Sequence, residues 1–238
     1  MGFSFFRPSS DFRYALKEGM SGTDVAVLQL NLQDVVVDGR FGPQTNRSVC
    51  AFQKAEKLKM DGIAGLLTQR KLALKRFAEG SAKYKLPTGL LEGIANNESS
   101  FALACYSRHP SDPGFDIGVL QHSIPPEKIG SQAQYALGYD AVRMAHETAA
   151  KIREQKDKFY GKVGAKTNKR AWELSVLYHN WPTAAVNMAS GHGPYLTRNN
   201  DSSVPWIVTA SGGRLQTPNQ WVEAYIQRCC VFITKWTS

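Results

Sequence analysis

Two stretches of the chain, DGRFGPQT from Asp38 and DGIAGLLT from Asp61, both read D-G-x-x-G-x-x-T and start 23 residues apart. A pattern repeated at such a period marks one supersecondary unit used twice, which leaves the first third of the chain few choices of fold. In each copy Asp-Gly opens a turn, the second glycine permits a tight backbone, and a helix follows. Pro43 suits the first helical position of the first copy. The preceding helices match as well. VAVLQ carries Val25, Leu28 and Gln29, and VCAFQ carries Val49, Phe52 and Gln53. Val25, Leu28 and Leu32 stand at i, i+3 and i+7, one buried stripe. Ser21, with Asp24 three residues on, is the expected helix start. Asp38, Gly39, Asp61 and Gly62 read as architectural rather than as ligand contacts.

From Leu16 to Leu74 the chain resembles the peptidoglycan-binding domain found in many cell-wall enzymes. The likeness runs through LKEGMSGTDVAVLQLNL, VDGRFGPQTNRSVCAFQ and LKMDGIAGLLTQRKL, in order. It implies a compact three-helix bundle without catalysis of its own, with wall glycan or stem peptide as ligand. Next, KRFAEGSAKYKLPTG at 75–89 reads as a short linker, or as a helix end followed by a new start. The expected limits are 12–75 for the binding domain, 76–85 for the linker and 86–238 for a second, mainly helical domain. In that domain 131–159 reads as one long helix, with Ser131 as N-cap and Val142, Ala145, Ala149 and Ile152 on its stripe. RAWELSVLYHNW is apolar on nearly every face, as a buried helix would be. Thr217, Pro218 and Gln220 form a capping-box start for a last helix. The polar loop 193–205 is expected to line or cover something.

Candidate chemistry begins in EGIANNESSF, residues 92–101. Glu98 continues the stripe of Leu91, Ile94 and Ala95. A carboxyl at an apolar edge loses hydration and keeps its proton more readily, as a general acid needs. A hydrogen-bonded rim glutamate would give the same pattern. HETAAK starts like H-E-x-x-H, but Ala150 stands where the second histidine belongs. His109, His122, His146, His179 and His192 show no ligand spacing, so no metal and no other cofactor is expected. Cys50, Cys105, Cys229 and Cys230 read as buried free thiols, and nothing marks Cys105 as a nucleophile. A two-carboxylate glycosidase would need a partner acid, for which Asp112 and Asp116 are the candidates.

LLEGIANNESSF, then YS at 106–107, DIGVLQ and YHNWP resemble the soluble lytic transglycosylase and goose-type lysozyme superfamily. The likeness spans roughly Lys85 to His192. It implies Glu98 as general acid and base, and Ser107 and Gln121 as substrate contacts. Tyr178, His179 and Asn180 cover the later tyrosine–asparagine motif and are the further substrate contacts expected. This sequence departs from the family in three places. The segment between Ser107 and Gly118 is longer. Aligning Asn180 with the family asparagine puts His179 where a tyrosine stands. Trp181 and Pro182 replace small residues. The fold expected is mainly α, with a small three-helix bundle followed by a lysozyme-like α-helical domain.

The net charge of +9 suits a polyanionic partner such as nucleic acid, membrane surface or wall polymer. No basic run with interleaved aromatics marks a nucleic-acid surface, and no stretch is apolar enough to span a bilayer. The opening MGFSFFRPSSDFRYALKEG is not a usual secretory signal. Together these features resemble a modular phage endolysin, a monomer held in the host cytoplasm until lysis and then acting at the wall. The expected partner is the peptidoglycan glycan strand. The expected reaction is cleavage of the β-1,4 bond from N-acetylmuramic acid to N-acetylglucosamine, leaving a 1,6-anhydro end. The alternatives are a hydrolytic muramidase on the same fold, and a non-catalytic wall-binding or phage structural protein.

Overall fold

A computed structural model describes residues 15–107, 114–128, 131–193, 208–209, 215–216 and 218–237. His109, Asp112, Thr217 and nearly all of the 193–205 loop lie outside the described residues. The chain is mainly helical. It divides into two compact units, Met1–Gly80 with Ala95–His146, and Ser81–Ile94 with Glu147–Ser238.

The first unit opens with the repeat. Helices α1 (Thr23–Leu32), α2 (Pro43–Ala55) and α3 (Leu66–Lys83) follow one another. Helix α3 thus includes most of the segment read as a linker. Val25, Leu28, Leu32, Val49 and Phe52 are buried, as their spacing requires. Ser21 does not cap α1; it forms a β-bridge with Arg40, and Gly22 occupies the cap position. The helix starts at Thr23, so Ser21 falls one place before the cap, where its backbone pairs with Arg40.

The two copies of the motif fold alike, around a glutamine. The Gln29 amide donates to Asp38 Oδ1 at 2.9 Å, to the Arg40 carbonyl at 3.0 Å and to Thr45 Oγ1 at 2.9 Å. Its oxygen accepts the backbone N–H groups of Asp38 and Gly39. Gln53 repeats this one copy later, donating to Asp61, the Ile63 carbonyl and Thr68, and accepting from Asp61 and Gly62. Gly39 and Gly62 have φ near +70°, where a side chain is strained. The letters shared by the two copies are therefore one hydrogen-bonded turn closed on a buried amide.

Asn31, 1% exposed, ties this bundle to a distant segment. Its amide donates to the carbonyls of Val27 and Tyr139, and its oxygen accepts the Ala141 N–H at 3.0 Å. Tyr139 and Ala141 flank a break between α5 (Gln132–Tyr139) and α6 (Ala141–Phe159). The single helix expected over 131–159 is thus two. Asp140 is extended, with ψ 102°, and its carboxylate accepts the N–H groups of Val142 and Arg143, capping α6. Ser131 caps α5 as expected. Arg76 closes the end of α1 by donating to the carbonyls of Asn31 and Leu32.

In the second unit α7 (Asn168–Asn180) is capped by Thr167 and buries Ala171, Trp172 and Leu174–Leu177. Helix α8 (Pro182–Ala189) follows after a one-residue break at Trp181. Helix α9 (Pro218–Cys230) begins at the proline. An Arg170 guanidinium forks onto Glu173 and Glu223, joining α7 to α9. Close approach of backbones is built in at Gly93, where a Cβ would stand 1.7 Å from the Cys229 carbonyl oxygen.

Candidate active site

Glu98 lies at the end of α4 (Leu90–Ser99), half-buried, while Leu91, Ile94 and Ala95 on its stripe are fully covered. The Asn97 amide donates to Glu98 Oε1 at 3.1 Å. The helix ends abruptly. Ser100 and Phe101 both adopt left-handed backbone, with φ of 51° and 66°. The Phe101 N–H turns back to the Ala95 carbonyl, a Schellman-like closure made without glycine. A left-handed phenylalanine costs on the order of 1–3 kcal/mol and persists only where its surroundings hold it. Here Phe101 is 4% exposed, with the Arg70 guanidinium 4.9 Å from the ring centre.

Three short strands follow in an antiparallel sheet, β1 (Tyr106–Ser107), β2 (Phe115–Ile117) and β3 (His122–Ile124). Ser107 pairs with Asp116, and Asp116 with Ser123, so the three stand side by side across the sheet. The Ser123 hydroxyl donates to the Asp116 carboxylate. Between β2 and β3 runs the turn Gly118–Gln121, anchored by the Gly118 N–H on the Cys105 carbonyl at 2.7 Å. Gln121 is left-handed too, with φ of 52°.

Ser99 joins these parts. Its buried hydroxyl lies 3.0 Å from the Ala95 carbonyl and 2.8 Å from the Val119 carbonyl. One hydroxyl proton thus holds the end of the Glu98 helix to the turn that displays Gln121. The Ser107 hydroxyl in turn donates to Gln121 Oε1 at 2.7 Å, and Gln121 Nε2 donates to the Gly118 carbonyl at 2.9 Å. Two residues singled out from sequence, Ser107 and Gln121, therefore touch. Glu98 reaches the same turn through its neighbour Ser99.

Tyr178, His179 and Asn180 sit at the end of α7 in the second unit. Tyr178 meets Phe159 edge-on at 6.0 Å, with Lys151 Nζ 5.5 Å above its ring. Asn180 is exposed. Among the described residues no group of three or more His, Cys, Asp and Glu is placed to hold a metal ion. All four cysteines are free, and Cys50 and Cys230 are only half-buried. Burial pushes the Cys230 thiol up to about 12, which leaves it protonated at neutral pH. Sequence reasoning missed the Ser99 tie and an aromatic cluster at Trp181. The i, i+4 spacing of Trp221 and Tyr225 was the available signal for the latter.

Residues 21–72 match the family model described as a putative peptidoglycan binding domain. The chain is 32% identical over 155 residues to a probable N-acetylmuramoyl-L-alanine amidase of Bacillus licheniformis, covering 56% of this chain and 43% of that protein. It is 45% identical over 56 residues to the N-acetylmuramoyl-L-alanine amidase CwlM of Mycobacterium tuberculosis, covering 21% and 14%. It is 41% identical over 64 residues to a zinc D-Ala-D-Ala carboxypeptidase of Streptomyces albus G, covering 24% and 25%. The chain thus matches less than half the length of each of these relatives. The repeat module of α1–α3 is a helical domain of the peptidoglycan-binding kind.

Proposed function

We propose that the chain is a wall-active enzyme of the endolysin kind that cleaves the glycan strand of peptidoglycan, with Glu98 as its general acid and base. The observation that carries this reading is the joint made by Ser99, which fastens the carboxylate's helix to the turn bearing Gln121. The bond from Ser107 to Gln121 fixes the side chain beside it. Those bonds use one of the two Gln121 donors and one oxygen lone pair, leaving the others for a sugar amide or hydroxyl. Left-handed residues on both sides of the joint are the kind of strain that collects at working sites. The module of residues 21–72 holds the enzyme at its polymer, an effective-concentration gain.

In the proposed reaction the protonated Glu98 carboxyl gives its proton to the glycosidic oxygen as the bond to muramic acid C1 breaks. The resulting carboxylate then takes the proton of the muramic acid C6 hydroxyl, whose oxygen bonds to C1. The ring closes as a 1,6-anhydro sugar, and no water enters. Asp116, beside Ser107 in the sheet, is the candidate base if water attacks instead.

A second reading, a wall amidase, is favoured by one observation. The match to the Bacillus amidase covers 56% of the chain, more than the share taken by residues 21–72. Digesting purified peptidoglycan and weighing the fragments separates the two. Disaccharide products lighter by one water, without reducing ends, support the first reading; reducing muramic acid ends place water as the nucleophile. Free stem peptides beside intact glycan would replace it with the amidase. In the glycan case Glu98→Gln is expected to reduce turnover about 100-fold or more with the fold intact. Undiminished cleavage by that variant would remove Glu98 from the chemistry.

A further inference from the structure

The break between α7 and α8 carries an aromatic cluster outside the site described above. Trp181 fills the break with φ −129° and ψ 75°. Its N–H bonds to the Leu177 carbonyl at 2.8 Å, and its carbonyl takes the Ala185 N–H at 3.0 Å, so the residue is pinned from both helices. Its ring meets Trp221 at 4.3 Å and 70°, and Tyr225 at 4.6 Å and 86°. Tyr225, 1% exposed, packs edge-on against the inner side of Trp181. Trp181 and Trp221 are only half-buried. Among the described residues neither indole N–H has a protein acceptor, whereas the buried Trp172 donates its own to the Thr237 carbonyl.

We propose that Trp181 and Trp221, their rings set at 70° to one another, form an aromatic corner against which a pyranose ring of a β-1,4-linked amino-sugar strand packs, giving the second unit its own glycan contact. The choice of a sugar rests on the glycan-cleaving reading above. The surroundings fit it. Indole surface with an outward N–H serves a ligand that is apolar on its C–H face and rich in hydroxyls at its edge. Asn180, Pro182 and Thr183 around the pair are exposed, so the rings do not belong to a broad apolar patch suited to a membrane. Tyr225 and the two helix ends hold Trp181 in place before any ligand arrives, which lowers the ordering cost of binding.

The test uses the full chain with its five tryptophans labelled at the indole nitrogen. The probe is a β-1,4-linked N-acetylglucosamine tetramer, and the indole resonances are assigned by single Trp→Phe changes. Titration is expected to move the Trp181 and Trp221 N–H signals and to leave Trp172 in place. Trp221→Ala is expected to weaken tetramer binding at these signals about tenfold, the equivalent of one good aromatic contact. Trp181 is more deeply held, so Trp181→Phe, which keeps a ring, is the matched variant there. It is expected to bind less tightly with its melting temperature preserved. Signals that stay fixed through the titration would overturn the proposal and leave the cluster as packing. The fragment masses of the preceding experiment judge the reaction separately, so an amidase result with moving indole signals would leave the aromatic corner standing.

Discussion

At the scale of single residues the molecule depends on buried amides. Gln29 is 1% exposed, and its oxygen is the acceptor for two backbone N–H groups of the first turn. Gln29→Leu would leave both donors unmet, at a cost of about 3 kcal/mol. The exposed Gln44 replaced by alanine should change stability by no more than about 0.5 kcal/mol. Thermal melts of the two variants check this, and equal melting temperatures would show that the amide does not hold the turn. The same turns carry a pH dependence. Asp38 is held below the ordinary carboxylate range by the Gln29 amide and the Arg40 N–H. Asp61 is held low by the Ile63 N–H and the Gln53 amide. The folded state thus binds protons less readily than the unfolded one. Their contribution is complete above the unfolded value of 3.8 and fades as pH falls through the lowered values. Melting temperature should therefore drop below about pH 4 and drop less in Asp61→Asn, which has no charge to lose. Both carboxylates are exposed, so the slope will be shallow.

At the scale of elements, close backbone approach fixes where helices and turns can go. A Cβ at Gly118 would stand 2.1 Å from the Gly138 carbonyl, at a backbone φ of +76°. Gly118→Ala is therefore expected to displace the turn that displays Gln121 and, on the proposed glycan-cleaving reading, to reduce wall clearing while the helical circular dichroism signal persists. Full clearing by a stably folded Gly118→Ala protein would separate that turn from the activity. In the second unit Gly93→Ala meets the Cys229 carbonyl and should cost about 3 kcal/mol or more, read as lost melting temperature. Helix existence was legible in the sequence because periodicity is local. Helix interruption was less so. Nothing in the apolar pattern of 131–159 marks Asp140 as a cap, because aspartate in a helical run reads as a solvated charge until its side chain is seen turning onto Val142 and Arg143. The three-stranded sheet was invisible for a different reason: strands of two or three residues are too short to display alternation.

At the scale of the whole molecule, the repeat could be read because each copy closes on itself, with Gln29 only nine residues from Asp38. The family likeness singled out Ser107 and Gln121 as separate substrate contacts, but their bond to each other had no signal, since no local rule pairs residues across a turn of that kind. The bonds of Asn31 had no signal at all. They bind the bundle to the ends of α5 and α6, within one compact unit. Asn31→Ala should cost about 3 kcal/mol by leaving the Ala141 N–H and the Tyr139 carbonyl unmet. A chain lacking residues 1–80 should fail to give a cooperative melt, since it loses Asn31 and also Gln69, which accepts the Leu103 N–H. A sharp melt by that fragment would refute the coupling.

The reach of Asn31 also sets a schedule. Its partners Tyr139 and Ala141 leave the ribosome 108 and 110 residues after it. At about 5–20 residues per second the amide waits roughly 5–20 s before translation delivers them. Throughout that interval the emerging repeat carries an unfinished seam, open to proteases and to neighbouring nascent chains. Nascent chains stalled before residue 139 should be cut near α1 by a probe protease, and those stalled well beyond residue 141 should resist. The wait is built into the order of the letters, whatever the final stability of the fold.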